Sequence, residues 1–178
     1  MVSPEKFTKR LVHAEQLELA ITNATWAPTH GLTQPWFFHV YLGDGMSILR
    51  ENLPLIYKSE TPPEKFSEAK WEKLHQRLSH VNAVVVVSMR RNETSKINEV
   101  EEIEAVACAV QNFLLTCTAY GLSVYWSSPG FIYGHAMKRF LQLNDSDKCL
   151  GLLYVGYPEE MQHQAHRKPL EYVSTWYT

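Results

Sequence analysis

Cysteine is scarce: Cys108, Cys117 and Cys149 are the only three, and they form neither a C-x-x-C pair nor the spacing of a zinc site. This excludes a disulfide scaffold and points to a reducing compartment. Long apolar runs are missing too. The longest aliphatic run, residues 83–87, is far too short to cross a bilayer, and the opening M-V-S-P-E-K holds no apolar stretch that could act as a secretion signal. A soluble cytoplasmic protein with no membrane partner is expected. An excess of charge of one sign is also absent: 17 Lys and Arg stand against 19 Asp and Glu, a formal net charge of -2. Such a chain has no general electrostatic pull toward nucleic acid or anionic lipid. There is no repeat, low-complexity tract or interdomain linker. What remains is 178 residues, 45% hydrophobic and 12% aromatic, which is enough for one domain (residues 1–178) with its own core.

Periodicity divides this domain into helices and strands. Leu17, Ala20, Ile21 and Ala24 recur at helical spacing within residues 14–26, which Pro28 and Gly31 bring to an end. Residues 37–42, aromatic and β-branched, predict a buried strand ending at Gly43-Asp44-Gly45, followed by a helix over 46–57. Pro62-Pro63 breaks the chain before a highly charged surface helix over 64–78. The valine-rich run 81–89 predicts a strand covered on both faces, and 90–94 a polar loop. The strongest helical signal spans 100–120, with an acidic start that complements the helix dipole and Gly121 as its stop. A short strand at 122–126, a helix at 133–141 and a central strand at 149–157 complete the pattern. The fold class expected is α+β, a mixed β-sheet flanked by helices. The tail 167–178 carries Tyr172, Trp176 and Tyr177, too apolar to be left in water, and is expected to pack on another surface.

Three segments carry residues suited to ligand contact. Residues 26–36, W-A-P-T-H-G-L-T-Q-P-W, combine aromatic rings with the neutral donors and acceptors Thr29, His30 and Gln34. Residues 121–130 place Ser127 and Ser128 after a predicted strand, and Arg167 could clamp a phosphate. Taken singly, each is equally an ordinary turn or a solvated basic pair. His163-x-x-His166 lacks a third ligand and reads as a surface feature, so no metal site is assigned. His75 and His80, at a helix end, read as structural, and Cys117 as a small core residue of the long helix.

In order and spacing, the segments resemble the FMN-dependent nitroreductase family, and within it the small single-domain branch. The resemblance rests on A-x-W-A-P-T-H-G-L-T-Q-P-W at 24–36, E-E-I-E-A-V-A-C-A-V-Q-N at 101–112, A-Y-G-L-S-V-Y-W-S-S at 119–128, G-L-L-Y-V-G-Y-P at 151–158 and R-K-P-L at 167–170. It implies a nitroreductase-like fold assembled as an intertwined homodimer, with FMN at the subunit interface. Pro28 and Thr29 would shape a loop that brings His30 and Gln34 to the flavin. Trp126, Ser127 and Ser128 would line the ring and ribityl chain, and Arg167 would meet the phosphate.

The activity implied is ping-pong transfer of hydride from NADH or NADPH to a small planar acceptor, such as a nitroaromatic or a quinone. The flavin carries that chemistry, so no catalytic side chain is assigned. Family members usually begin with an Arg-Arg-Ser or Arg-Arg-Thr element. In family register it falls at or just before Met1, so the expectation is a domain lacking it. Ser128-Pro129 stands where Thr-Gly or Ser-Gly is common. The alternative implied is a dimer that keeps the scaffold and binds flavin weakly or not at all.

Overall fold

The computed structural model describes residues 2–92, 96–160 and 165–178. Its elements in chain order are α1 (Ala14–Ala24), β1 (Trp36–Leu42), α2 (Met46–Glu60), α3 (Glu68–His80), β2 (Ala83–Met89), α4 (Glu99–Ala119), β3 (Ser123–Ser127), α5 (His135–Phe140) and β4 (Lys148–Gly156). The strands form one sheet in the order β1-β2-β4-β3. The class is α+β, as the residue pattern predicts. Every described strand pair is antiparallel, so the mixed character expected of the sheet is not found among these strands.

Strand β2 explains how both faces are filled. Its side chains alternate: Val85 and Val87 enter the core beneath α1 and α4, while Val84 and Val86 enter the core beneath α2, α3 and α5. All seven residues are buried, as expected for a strand covered on both sides. Strand β4 does the same, but its register shifts between Val87 and Ser88 of β2, where Gly151 and then Cys149 are the partners. The extra residue, Leu150, reverses the parity of β4 beyond that point. Cys149 therefore shares a core with Leu152 rather than with Leu153.

Strand β1 differs from expectation. It lies at the sheet edge, paired only with β2, and is half-buried with Val40 exposed rather than fully buried. Helix α3 starts at Glu68 rather than at residue 64, because Pro62-Pro63 impose a short 3₁₀ turn over Pro63–Lys65 first. Tyr57 then fastens this connection, its hydroxyl accepting the Ser67 N–H at 3.1 Å.

Two polar arrangements fix the ends of the elements. Asn82 accepts the Val12 N–H and donates back to the Val12 carbonyl, both at 3.1 Å, and Thr8 N–H donates to the Tyr157 carbonyl at 2.7 Å. The N-terminal segment is thus stitched to the sheet. Beyond β2, Arg91 bonds the fully buried Glu102 at 2.7 Å and the Ile97 carbonyl at 2.7 Å. Its own N–H donates to Asp147 at 2.7 Å. The acidic start of α4 therefore does more than meet the helix dipole, since it ties the helix to the loops on either side. Cys117 sits in the core as expected, and burial pushes its thiol up to about 12, as it does that of Cys149.

Candidate functional site

The loop between α1 and β1 is held in an unusual backbone state. Gly31, Leu32 and Gln34 all adopt left-handed conformations, with φ of +60°, +54° and +46°. For Leu32 and Gln34 this costs about 1–3 kcal/mol each. Local bonds maintain it: Thr29 Oγ1 accepts the Gln34 N–H at 3.2 Å and lies 3.2 Å from Thr33 Oγ1. A Cβ on Gly31 would lie 3.4 Å from Ile97, so the loop sits directly against the segment that leads into α4. His30 completes the anchorage, Nδ1 donating to Glu101 Oε2 at 2.5 Å. That bond holds the Glu101 carboxyl below its ordinary range. Pro28, His30 and Gln34 are exposed and Thr29 is partly buried.

At the end of β3 the sheet separates neighbouring residues. Trp126 packs against the core beneath α1 and α4, its indole N–H donating to the Leu150 carbonyl at 3.2 Å. The ring fills the space above Gly151, where a Cβ would come within 2.0 Å of Nε1. Ser127 points to the opposite face, as strand alternation requires, and lines a cavity there. Ser128 is exposed.

That cavity, of 380 Å³, lies between β3, the end of α2 and helix α3. Tyr57, Leu74, Phe131 and Tyr154 form its apolar wall, Pro129 and Gly130 one edge, and Lys65, Lys70, Lys73 and Arg77 its cationic rim. Burial pushes the Tyr154 phenol well above its ordinary range, so the hydroxyl stays protonated.

Of the residues singled out in sequence, the structure brings Thr29, His30 and Gln34 together in one loop and puts Ser127 on the cavity. Within one chain that loop does not reach the cavity. Arg167 is exposed and, among the described residues, donates to the carbonyl of its neighbour His166 at 2.9 Å. His163 lies outside the described residues. Sequence reasoning missed the α3 cations. Their signal, Lys70, Lys73 and Arg77 at i, i+3 and i+7, was hidden in a helix that is charged on several sides. The tail leaves Trp176 75% and Tyr177 95% exposed, and Trp26, beside the α1–β1 loop, is 81% exposed.

The family model for the nitroreductase family matches residues 3–157. The chain belongs to the nitroreductase family. It is 23% identical over 169 residues to the Bacillus subtilis protein named "Putative NAD(P)H nitroreductase YfhC", covering 94% of this chain and 86% of that one. A nitroreductase-like family protein from Bacillus cereus superposes with a TM-score of 0.80 at 25% identity, over 96% of this chain and 88% of that one. The FMN and NADPH-dependent nitroreductase NfnB of a Sphigopyxis strain shares the fold, with a TM-score of 0.74 at 16% identity over 97% and 93% of the two chains. Membership of this family places the chain among oxidoreductases, and the structural neighbours share its fold. No helix among its described residues is long and apolar enough to cross a membrane.

Proposed function

We propose that this nitroreductase is an FMN-dependent NAD(P)H oxidoreductase, reducing nitroaromatics, quinones or similar planar acceptors as a homodimer. The observation that carries the reading is the cavity at the end of β3, where apolar and aromatic walls meet a hydroxyl and a cationic rim. That donor set suits a flat ring with a polar edge and an anionic end, which is the chemistry of FMN. When bound, the flavin supplies hydride transfer from NADH or NADPH to the acceptor in a ping-pong cycle.

The protein's own tasks are binding and exclusion of water. Ser127 and Ser128, with the backbone N–H groups beside them, hydrogen-bond the ring edge, and Trp126 stiffens the strand that presents them. Pro28 and Thr29 shape the strained loop that carries His30 and Gln34, and Glu101 keeps His30 facing outward. Arg167 meets the phosphate. Because that loop does not reach the cavity of its own chain, a second copy must bring His30 and Gln34 to the site. The exposed Trp26, Trp176 and Tyr177 form apolar surface of the kind such a partner would cover.

Purification with excess FMN tests this directly. A yellow dimer that oxidises NADH or NADPH in the presence of a nitroaromatic or quinone supports it. A colourless protein with background nicotinamide oxidation fails it, and leaves a scaffold that binds flavin weakly or not at all.

A further inference from the structure

A second concavity, of 300 Å³, lies where the N-terminal segment meets the end of α3, the start of β2 and the end of β4. It shares no lining residue with the cavity at the end of β3. Lys9, Arg10, Arg50 and His80 line it, and no described carboxylate does. Lys9, Arg10 and Arg50 form no ion pair with any described carboxylate.

These cations are held in place. Arg50 reaches from α2 to the end of α3, its Nε donating to the Leu78 carbonyl at 3.0 Å and its Nη2 to the Val81 carbonyl at 3.2 Å. Carbonyls at a helix end lack partners within the helix. The guanidinium is therefore fixed without its charge being cancelled, and Nη1 is engaged by no described residue. Lys9 and Arg10 lie on a strap pinned at both ends, by the Thr8 bond to Tyr157 and by the paired bonds between Val12 and Asn82. The Arg10 guanidinium rests 3.9 Å from the Tyr157 ring centroid. His80 closes the side, its Nε2–H donating to the Phe7 carbonyl at 2.9 Å. Three like charges around a hollow with apolar walls at Phe7, Val81 and Val155 repel one another, and low-dielectric walls focus their field inward. A bound anion relieves that repulsion.

We infer that this concavity binds a small oxyanion, a carboxylate or a phosphate, between Arg50 and the Lys9–Arg10 strap, apart from the redox cavity. Its volume stands at the low end of ligand pockets, about 300–1,000 Å³, so the occupant is a compact anion and not a dinucleotide. The site does not depend on the flavin reading, because no residue is common to the two cavities.

Calorimetric titration with citrate and with inorganic pyrophosphate, in the presence of excess FMN, reads the site. Lys9 and Arg10 are exposed, so the double variant Lys9→Gln, Arg10→Gln keeps the fold, which circular dichroism verifies. The control Lys58→Gln, Arg139→Gln removes the same charge from exposed positions on α2 and α5 that border neither cavity. The wild type is expected to bind at least one of the two anions. Affinity should fall by about tenfold or more in the strap variant and by less than about twofold in the control. Arg50→Lys, which keeps the charge but loses the planar fork, should lose as much as the strap variant, and if it does not fold the strap variant decides alone. Preference for citrate assigns the carboxylate, and preference for pyrophosphate the phosphate. A wild type that binds neither anion, equal losses in strap variant and control, or binding that FMN abolishes overturns the inference. FMN binding is measured on the same samples, so a failure of the flavin reading is seen separately.

Discussion

His30 Nδ1 and Glu101 Oε2 lie 2.5 Å apart, joining the loop after α1 to the first turn of α4 across 71 residues of sequence. Glu101 belongs to a turn already fastened by the buried pair Arg91–Glu102. His30 is therefore held from a rigid base while its loop remains exposed.

If that contact serves ligand binding, removing either partner should have the same effect. Glu101→Gln and His30→Ala are each expected to weaken flavin affinity several-fold without changing the far-ultraviolet circular dichroism, and the double variant to weaken it no further. Fully additive losses would mean that the two residues act separately.

Leu32 is exposed and left-handed, so its conformation costs stability without a packing return. Leu32→Asn, a residue that tolerates this backbone region, should raise unfolding stability by up to about 1 kcal/mol. Urea denaturation measures it, and a loss of stability would show that the Leu32 side chain has a buried partner in the assembled protein.

Gly151 gives up its side-chain volume to Trp126. Gly151→Ala would drive a methyl to within 2.0 Å of the indole nitrogen, displacing the ring and costing about 1–3 kcal/mol through overpacking. A lower melting temperature together with a shifted tryptophan emission is expected. An unshifted emission would mean that Trp126 does not rest over β4.

His39 is half-buried on the edge strand. Burial first, then the charge of Arg90, pushes its imidazole down to about 4. In the unfolded chain it takes up a proton near 6.5, so between these values the unfolded state binds more protons than the folded one. Stability should fall as pH drops from 6.5 to 4, by roughly 1–2 kcal/mol once screening at a half-exposed ring is allowed for. His39→Phe should remove that slope, and an unchanged slope would assign it to another group.

Glu5 titrates in a lower window. Burial opposes its charge, but hydrogen bonds from Ser3 and Arg77 prevail and hold its carboxyl at about 2. Its contribution is present above about 4.5 and fades as pH falls toward 2, which separates it from His39.

Much of the fold could be read from local pattern. The run of valines in β2 has no polar position and so needs cover on both faces, while the broad apolar stripe of α4 needs a sheet beneath it. Strand β1 shows where pattern stops. Phe37, Phe38 and Tyr41 are as apolar as an inner strand, and nothing local says that only one neighbour pairs with them. The start of α3 was misplaced for a similar reason, since apolar spacing continued through a turn that the two prolines had already closed to the helix. In the site, residue types marked Thr29, His30, Gln34 and Ser127 as ligand-capable, but did not say that Ser127 is the one of the Trp126–Ser127 pair that faces a cavity, since alternation separates the two residues without saying what covers each face.

The amino-acid order alone determined the elements, the core residues and the nitroreductase motifs, because these depend on side-chain volume, polarity and periodicity along the chain. Only the tertiary structure decided that α3 turns its lysines toward β3 and Tyr154, and that Glu101 meets His30. Both follow from packing between segments more than 50 residues apart, and charges on a helix become a site only when another element closes the space in front of them.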